Sequence, residues 1–139
     1  MFEVTIIKSF SAAHILAEIG GKCEELHGHN FKVEVTVAAS ELNSTGLLID
    51  FRVFKKWLSE ILEDIDHKHL NILLPFAGIN PSAENIAKYI CEKMELKVKT
   101  AKVNVVGVKI WESENAAVTY IPEKYDWHSE PKRFPQYWH

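Results

Sequence analysis

The most restrictive stretch of the chain is residues 31–39, where Phe31, Val33, Val35 and Val37 alternate with Lys32, Glu34 and Thr36. A period of two puts the four apolar side chains on one face and the polar ones on the other, the pattern of a half-buried antiparallel strand. A one-residue slip would turn the whole apolar set to water, so the run commits the chain to a sheet with one covered face. His27 and His29 stand two apart just before it. In extended backbone they point to the same side and aim two imidazoles at one place. Gly28 lies between them, where a missing side chain lets backbone come close, and Cys23 stands four residues earlier behind a short loop. His14 follows Ser11, Ala12 and Ala13 at the end of an earlier strand-like run. His-x-His alone is common and rarely meaningful. With a thiol and a third imidazole added it describes a reactive or metal-binding site, and three neutral imidazoles without a fourth protein ligand are the usual protein contribution to a catalytic zinc.

The rest of the chain supplies the frame. Residues 2–10 alternate with Phe2, Val4 and Ile6 on one face, and residues 11–14 extend that strand. Residues 15–22, with Gly20 and Gly21, form a loop, and residues 40–48 a turn. Asp50 is a helix N-cap, after which Phe51, Phe54, Leu58, Ile61, Leu62 and Ile65 recur at helical spacing to an end near Asp66. A polar stretch, 66–71, and a loop with two prolines, 74–81, lead to Ser82. Ser82 caps a second helix whose stripe is Ala83, Ile86, Ala87, Ile90, Cys91 and Met94, so Cys91 belongs to the core. Residues 102–111 form a third strand whose alternation slips at Val105 and Val106, predicting a bulge. Glu112 closes it, 113–115 turn, and 116–121 form a fourth strand. The tail, 122–139, carries Tyr125, Trp127, Phe134, Tyr137 and Trp138 in irregular structure packed on its own domain or a neighbour.

Strand, strand, helix, helix, strand, strand implies an α+β fold: a four-stranded antiparallel sheet with both helices on one face. The other sheet face is then uncovered within one chain, and strands this apolar point to an oligomer. The alternative is a monomer with a wet face, with which Lys32, Glu34 and Thr36 are compatible. The 139 residues suit one domain, with a core over 2–121. A net charge of -3 offers no basic footprint for nucleic acid. No apolar run is long enough to span a membrane, and the start, Met1 to Thr5, lacks the basic and apolar regions of a signal peptide. A cytoplasmic protein with both cysteines reduced is expected.

These residues resemble the 6-pyruvoyl- and 6-carboxy-tetrahydropterin synthase family, over positions 2 to about 121. The landmarks run in order: Phe10-Ser11-Ala12-Ala13-His14, Cys23-x-x-x-His27-Gly28-His29, Leu48-Ile49-Asp50-Phe51, Asp66-His67-x-x-Leu70-Asn71, Pro81-Ser82-x-Glu84-Asn85 and Trp111-Glu112. The resemblance implies the tunnelling fold, in which sheets from several subunits close into a barrel, usually a hexamer of two trimers. It also implies zinc on His14, His27 and His29, and 7,8-dihydroneopterin triphosphate as substrate, with its side-chain hydroxyls at the metal. Cys23 matches the family's general base, and Asp66 with His67 a relay that pairs with it. An imidazole oriented by a carboxylate is a reasonable proton shuttle. The alternative for Cys23 is an inert buried thiol, which its loop position against the His pair disfavours; read without the family, Asp66-His67 is a solvated helix end. Glu112 matches the pterin anchor, where a carboxylate accepts two parallel hydrogen bonds; the alternative is an exposed strand-end charge. Glu84 is expected to line the same pocket, unless the helix dipole alone accounts for it. Ser82 stands where the family commonly has Thr. His69 matches no required position and is placed on the surface.

The activity implied is formation of 6-carboxy-5,6,7,8-tetrahydropterin with release of acetaldehyde and triphosphate, a step toward deazapurine tRNA nucleosides. The 6-pyruvoyl product is the main alternative. Relatives that split dihydroneopterins for folate carry Glu at the position of Glu24 in place of the Cys. This chain has both, which leaves open a dual type that also makes 6-hydroxymethyl-dihydropterin; against it, Glu24 and Glu25 are two solvated loop acids. Two non-catalytic readings complete the set: a pterin- or purine-binding member of the fold, and a protein with a structural metal.

Overall fold

The alternating run continues beyond its apolar residues. A computed structural model describes residues 1–123, and in it the run lies in strand β2 (His27–Ala39), paired antiparallel with β1 (Phe2–His14). The register holds without a break from Phe2 opposite Ala39 to His14 opposite His27. Phe31, Val33, Val35 and Val37 are completely buried, with Ile6 and Phe10 beside them on β1. The aromatic tail from Tyr125 onward lies outside the described residues.

Two helices cover that face. Asp50 caps α1 (Phe51–Glu63) by accepting from the Arg52 N–H, and Ser82 caps α2 (Ala83–Val98) by accepting from the Asn85 N–H. The expected stripes are buried on both, Cys91 included. Phe51 is the exception at 56% exposed; as the first helical residue its side chain leans back past the helix end rather than onto the sheet. Turns continue from α1 to Asp66, whose N–H reaches the Leu62 carbonyl, and His67 then adopts a left-handed conformation (φ 59°) that ends them.

β4 (Asn104–Ser113) and β5 (Ala116–Tyr120) complete the antiparallel part. The sheet has five strands, not the four expected. The fifth, β3 (Lys68–His69), runs parallel to β1 at Ala12 and Ala13, giving the order β3-β1-β2-β4-β5. Two polar residues carry no alternation, so such a strand leaves no periodic trace in sequence. The predicted bulge is present: the β2–β4 register slips between Thr36 and Val37, leaving Val106 as the extra residue. A second slip, between Trp111 and Ser113 against β5, leaves Glu112 extra.

The face away from the helices is mixed: Ala38, Val106 and Ile121 form a small apolar cluster and Ile7 is exposed, while the rest is largely polar. Thr5 and Thr36 share a hydrogen bond at 2.7 Å, and the Trp111 indole N–H donates to Glu34 at 2.7 Å. The Lys32 and Lys109 ammonium groups lie 4.7 and 4.6 Å from the Trp111 ring. The sheet's edges are its open features: among the described residues β1 is covered on its outer side only near its end, and β5 has no outer neighbour.

Candidate metal centre

The β1–β2 register builds the site. His14 ends β1 directly across from His27, and His29 follows two residues on, so the three side chains share the helix-covered side at one end of the sheet. Ring centroids are 4.4 Å (His14–His27), 5.2 Å (His14–His29) and 4.9 Å (His27–His29) apart, at steep mutual angles. One nitrogen from each ring falls within 4.8 Å of the others, and no cysteine or carboxylate joins this cluster among the described residues.

Backbone carbonyls orient two of the rings. His14 Nδ1 lies 2.7 Å from the Pro81 carbonyl, and His27 Nδ1 2.8 Å from that of Glu25. A carbonyl only accepts, so each ring holds its proton on Nδ1 and turns a bare Nε2 to the cluster. His14 is fully buried and its Nε2 has no hydrogen-bond partner. Burial lowers its pKa from the ordinary 6.5, the His27 and His29 charges add to that, and the Pro81 carbonyl and Glu112 oppose it. A buried, neutral, unpartnered imidazole nitrogen facing two more is what a divalent cation of zinc's preferences would satisfy. The donor set therefore fits zinc, with three protein ligands and room for one more.

Gly28 does not act as expected. A Cβ there would meet only the Ala12 carbonyl at 3.5 Å, an ordinary contact, so crowding within the chain does not require glycine.

Cys23 sits half-buried in a single 3-10 turn, Gly21–Glu24, with its carbonyl accepting from the Leu16 N–H at 2.7 Å. Glu24 accepts from the Glu18 N–H at 3.1 Å and so helps close this loop. Glu112 occupies the β4 bulge in phase with the buried Val108 and Ile110, which sends it to the imidazole side. Its electrostatic effect on His14 agrees with that placement. Ser82 spends its hydroxyl on the cap of α2, and Glu84 is exposed in the first turn, where the dipole favours it.

Asp66 and His67 do form a pair, at 2.9 Å, because the left-handed His67 folds back toward its neighbour. The Ser11 N–H donates to the same Asp66 oxygen at 2.9 Å, and this bond, more than the imidazole, holds the carboxyl below the usual carboxylate range. His67 is 81% exposed by its side chain. His67 lines a cavity of about 470 Å³ with Ser11, His29, Asn30, Lys68 and His69. Residues of both strand phases line it, Ser11 and Asn30 from one and Ala12 and His29 from the other, so the cavity lies at the sheet end and reaches the imidazole cluster through His29. The hydrogen bonds of the described residues do not connect Asp66–His67 to Cys23. His69, expected on the surface, is half-buried beside Ala13, and its Nε2 is enclosed without a partner.

Two residues passed over in the sequence reading hold the loop next to His14. The Asn71 amide bonds both the N–H and the carbonyl of Ile15 (2.8 and 2.9 Å), and the Asn80 amide does the same for Ala17 (2.8 and 2.9 Å). Nothing in a single sequence marks an asparagine as such a clamp; only the Leu70-Asn71 landmark hinted at the first.

A sequence model described as 6-pyruvoyl tetrahydropterin synthase matches residues 3–123. A Synechocystis 6-carboxy-5,6,7,8-tetrahydropterin synthase is 40% identical over 118 residues, 81% of this chain and 88% of that protein. The human 6-pyruvoyl tetrahydrobiopterin synthase is 35% identical over 130 residues, 83% and 88% of the two chains. The Caenorhabditis elegans 6-pyruvoyl tetrahydropterin synthase structure superposes with a TM-score of 0.77 at 27% identity, covering 88% of this chain and 96% of that one.

Proposed function

Because the chain belongs to the 6-pyruvoyl tetrahydropterin synthase family, we propose that it is a zinc-dependent lyase that converts 7,8-dihydroneopterin triphosphate to 6-carboxy-5,6,7,8-tetrahydropterin, acetaldehyde and triphosphate. The observation that carries this reading is the cluster of His14, His27 and His29 around a buried, unpartnered nitrogen, with Glu112 on the same side. Bound there, zinc would supply Lewis acidity toward a side-chain hydroxyl of the substrate.

The chain's own groups do the rest. Glu112 accepts paired hydrogen bonds from the pterin ring N–H and 2-amino group, which fixes the ring and the reach of its side chain. Cys23 takes a proton from the side-chain carbon next to a hydroxyl. Asp66 orients His67 through Nδ1, leaving Nε2 to carry protons. Within one copy no hydrogen bond of the described residues joins Asp66–His67 to Cys23, so this reading pairs them with Cys23 of a second copy of the chain. The open edges of β1 and β5 supply the means: edge-to-edge pairing of sheets closes a barrel and removes both edges. A hexamer built from two trimers is the assembly this reading expects.

The 6-carboxy product is the one this reading commits to, consistent with the Synechocystis relative, and the 6-pyruvoyl product is the alternative, since 6-pyruvoyl synthases match the chain as well. Glu24, engaged with the Glu18 N–H, favours a loop-closing role over a second activity. The test is mass-spectrometric product identification from zinc-loaded protein and dihydroneopterin triphosphate. Acetaldehyde with the 6-carboxy pterin is expected, and Cys23→Ala should keep zinc and lose turnover. A 6-pyruvoyl product would overturn the product assignment. Tight pterin binding without triphosphate release would overturn catalysis itself.

A further inference from the structure

The outer edge of β1 stays satisfied well past β3. Ser11 gives its N–H to Asp66 and takes one from the His67 backbone; β3 pairs at Ala12 and Ala13; Ile15 is bonded twice by Asn71, and Ala17 twice by Asn80. Residues two apart in extended chain present their N–H and carbonyl to the same edge. A primary amide offers an acceptor and a donor side by side, so each asparagine stands in for one residue of a neighbouring strand. On the other edge His14 lies across from His27, and the Leu16 N–H donates to the Cys23 carbonyl. The segment 14–17 is thus held on one side by side-chain amides and on the other by the loop that bears the thiol.

Beyond this segment the loop is held by its own bonds, from the Glu18 N–H to Glu24 and from the Glu25 N–H to the Lys22 carbonyl, and not by core packing. Glu18, Gly20 and Gly21 all take left-handed φ values (65°, 87° and 63°), and the turn holding Cys23 contains no buried residue. Asn80 is itself fixed: its carbonyl accepts from the Asn85 side chain at 2.7 Å, and the next residue, Pro81, accepts from His14. One dipeptide therefore orients a metal ligand and pins the segment against which the thiol loop is registered.

We propose that Asn71 and Asn80 are positioning residues, whose amides form a surrogate strand that sets Cys23 against the imidazole cluster. This rests on the reading of Cys23 as the base. Both act through residues 15–17 and touch no substrate atom.

The test compares zinc-loaded parent protein with Asn71→Ala, Asn80→Ala and Asn80→Asp. Amide exchange across 15–24, alkylation of Cys23 by iodoacetamide with buried Cys91 as internal reference, zinc content, kcat and KM are read on each. Losing two backbone partners should raise exchange at 15–17 by about tenfold and speed Cys23 alkylation. A displaced base should cost about 10–100-fold in kcat while KM moves by less than about threefold and zinc stays bound. Asn80→Asp keeps the acceptor for the Ala17 N–H and should recover part of kcat. Exchange and alkylation equal to the parent's would overturn the proposal, as would kcat and KM failing together with loss of zinc, the mark of a merely structural role. If the parent itself releases no triphosphate, the function reading fails, and exchange and alkylation still decide the clamp. Should Asn80→Ala not fold, Asn71→Ala and Asn80→Asp carry the same readouts.

Discussion

His14→Phe separates a metal ligand from a merely structural histidine, because the two readings predict opposite outcomes for the metal-free protein. In the structure His14 is fully buried, Nε2 has no partner, and the ring lies 5.8 Å from Phe31 and 4.4 Å from His27. An unsatisfied buried nitrogen costs about 1–3 kcal/mol, which a phenyl ring removes. The same change strips the Pro81 carbonyl of its donor, a cost of about the same 1–3 kcal/mol. The two nearly cancel, so the metal-free variant should lie within about 2 kcal/mol of the metal-free parent. Zinc adds to the difference only in the parent: at a free concentration 100 times Kd it contributes about 2.7 kcal/mol. For a chain of this size that is about 10 °C in Tm. The assay is thermal unfolding of both proteins at one protein concentration, with chelator and with buffered zinc. Acid sharpens it. Burial sets the folded pKa of His14 below the ordinary 6.5, so below about pH 6.5 the unfolded chain binds the extra proton and metal-free stability falls as pH drops toward the folded value. His14→Phe should lose that part of the slope. A variant that keeps the full zinc-induced rise in Tm, or that is less stable than the metal-free parent by more than about 4 kcal/mol, would refute the argument.

If the relay crosses between copies, Cys23→Ala and Asp66→Asn should each be inactive alone. After unfolding and joint refolding at equal amounts, about a quarter of sites combine an intact thiol with an intact pair, and activity should return to about that fraction of the parent's; no recovery would place the relay within one chain or discard it. Glu112→Gln exchanges a charged two-bond acceptor for a neutral one, a loss of about 1.5–3 kcal/mol, or about 10–150-fold in kcat/KM, with zinc content unchanged. Unaltered kcat/KM for the variant would remove Glu112 from the substrate.

What was legible in the sequence was whatever repeats locally. Period two in Phe31–Val37, period 3.6 from Phe54 to Leu62 and from Ala83 to Met94, and the caps at Asp50 and Ser82 are each decided within a few residues, and all appear in the fold. The slip at Val105–Val106 was visible for the same reason. The imidazole cluster was legible because two of its members lie at i and i+2 on that strand; that His14 faces His27 follows from a register spread over thirteen paired positions, which no short stretch states. The misses share one cause. β3, the fold-back of His67 onto Asp66, and the Asn71 and Asn80 clamps all belong to residues 66–80, which run along the outer edge of β1 and have no period of their own.

That shared location has a mechanistic consequence. The stretch beginning at Asp66 bonds Ser11, then Ala12 and Ala13 at the end of β1, then Ile15 and Ala17 beyond it, so it follows the chain on either side of His14. On the proposed mechanism, a proton carrier at its start and an anchor for the thiol loop at its end are thereby tied to the strand that carries the buried His14. Shifting this stretch by one residue along β1 would displace His67, the Asn71 clamp and the Pro81 carbonyl together, and with them the imidazole that Pro81 orients. The edge strap is the element on which both halves of the proposed chemistry are registered, which is why a segment without secondary-structure signal carries Asp66, Asn71 and Asn80 along one edge, bonded in turn to Ser11, Ile15 and Ala17.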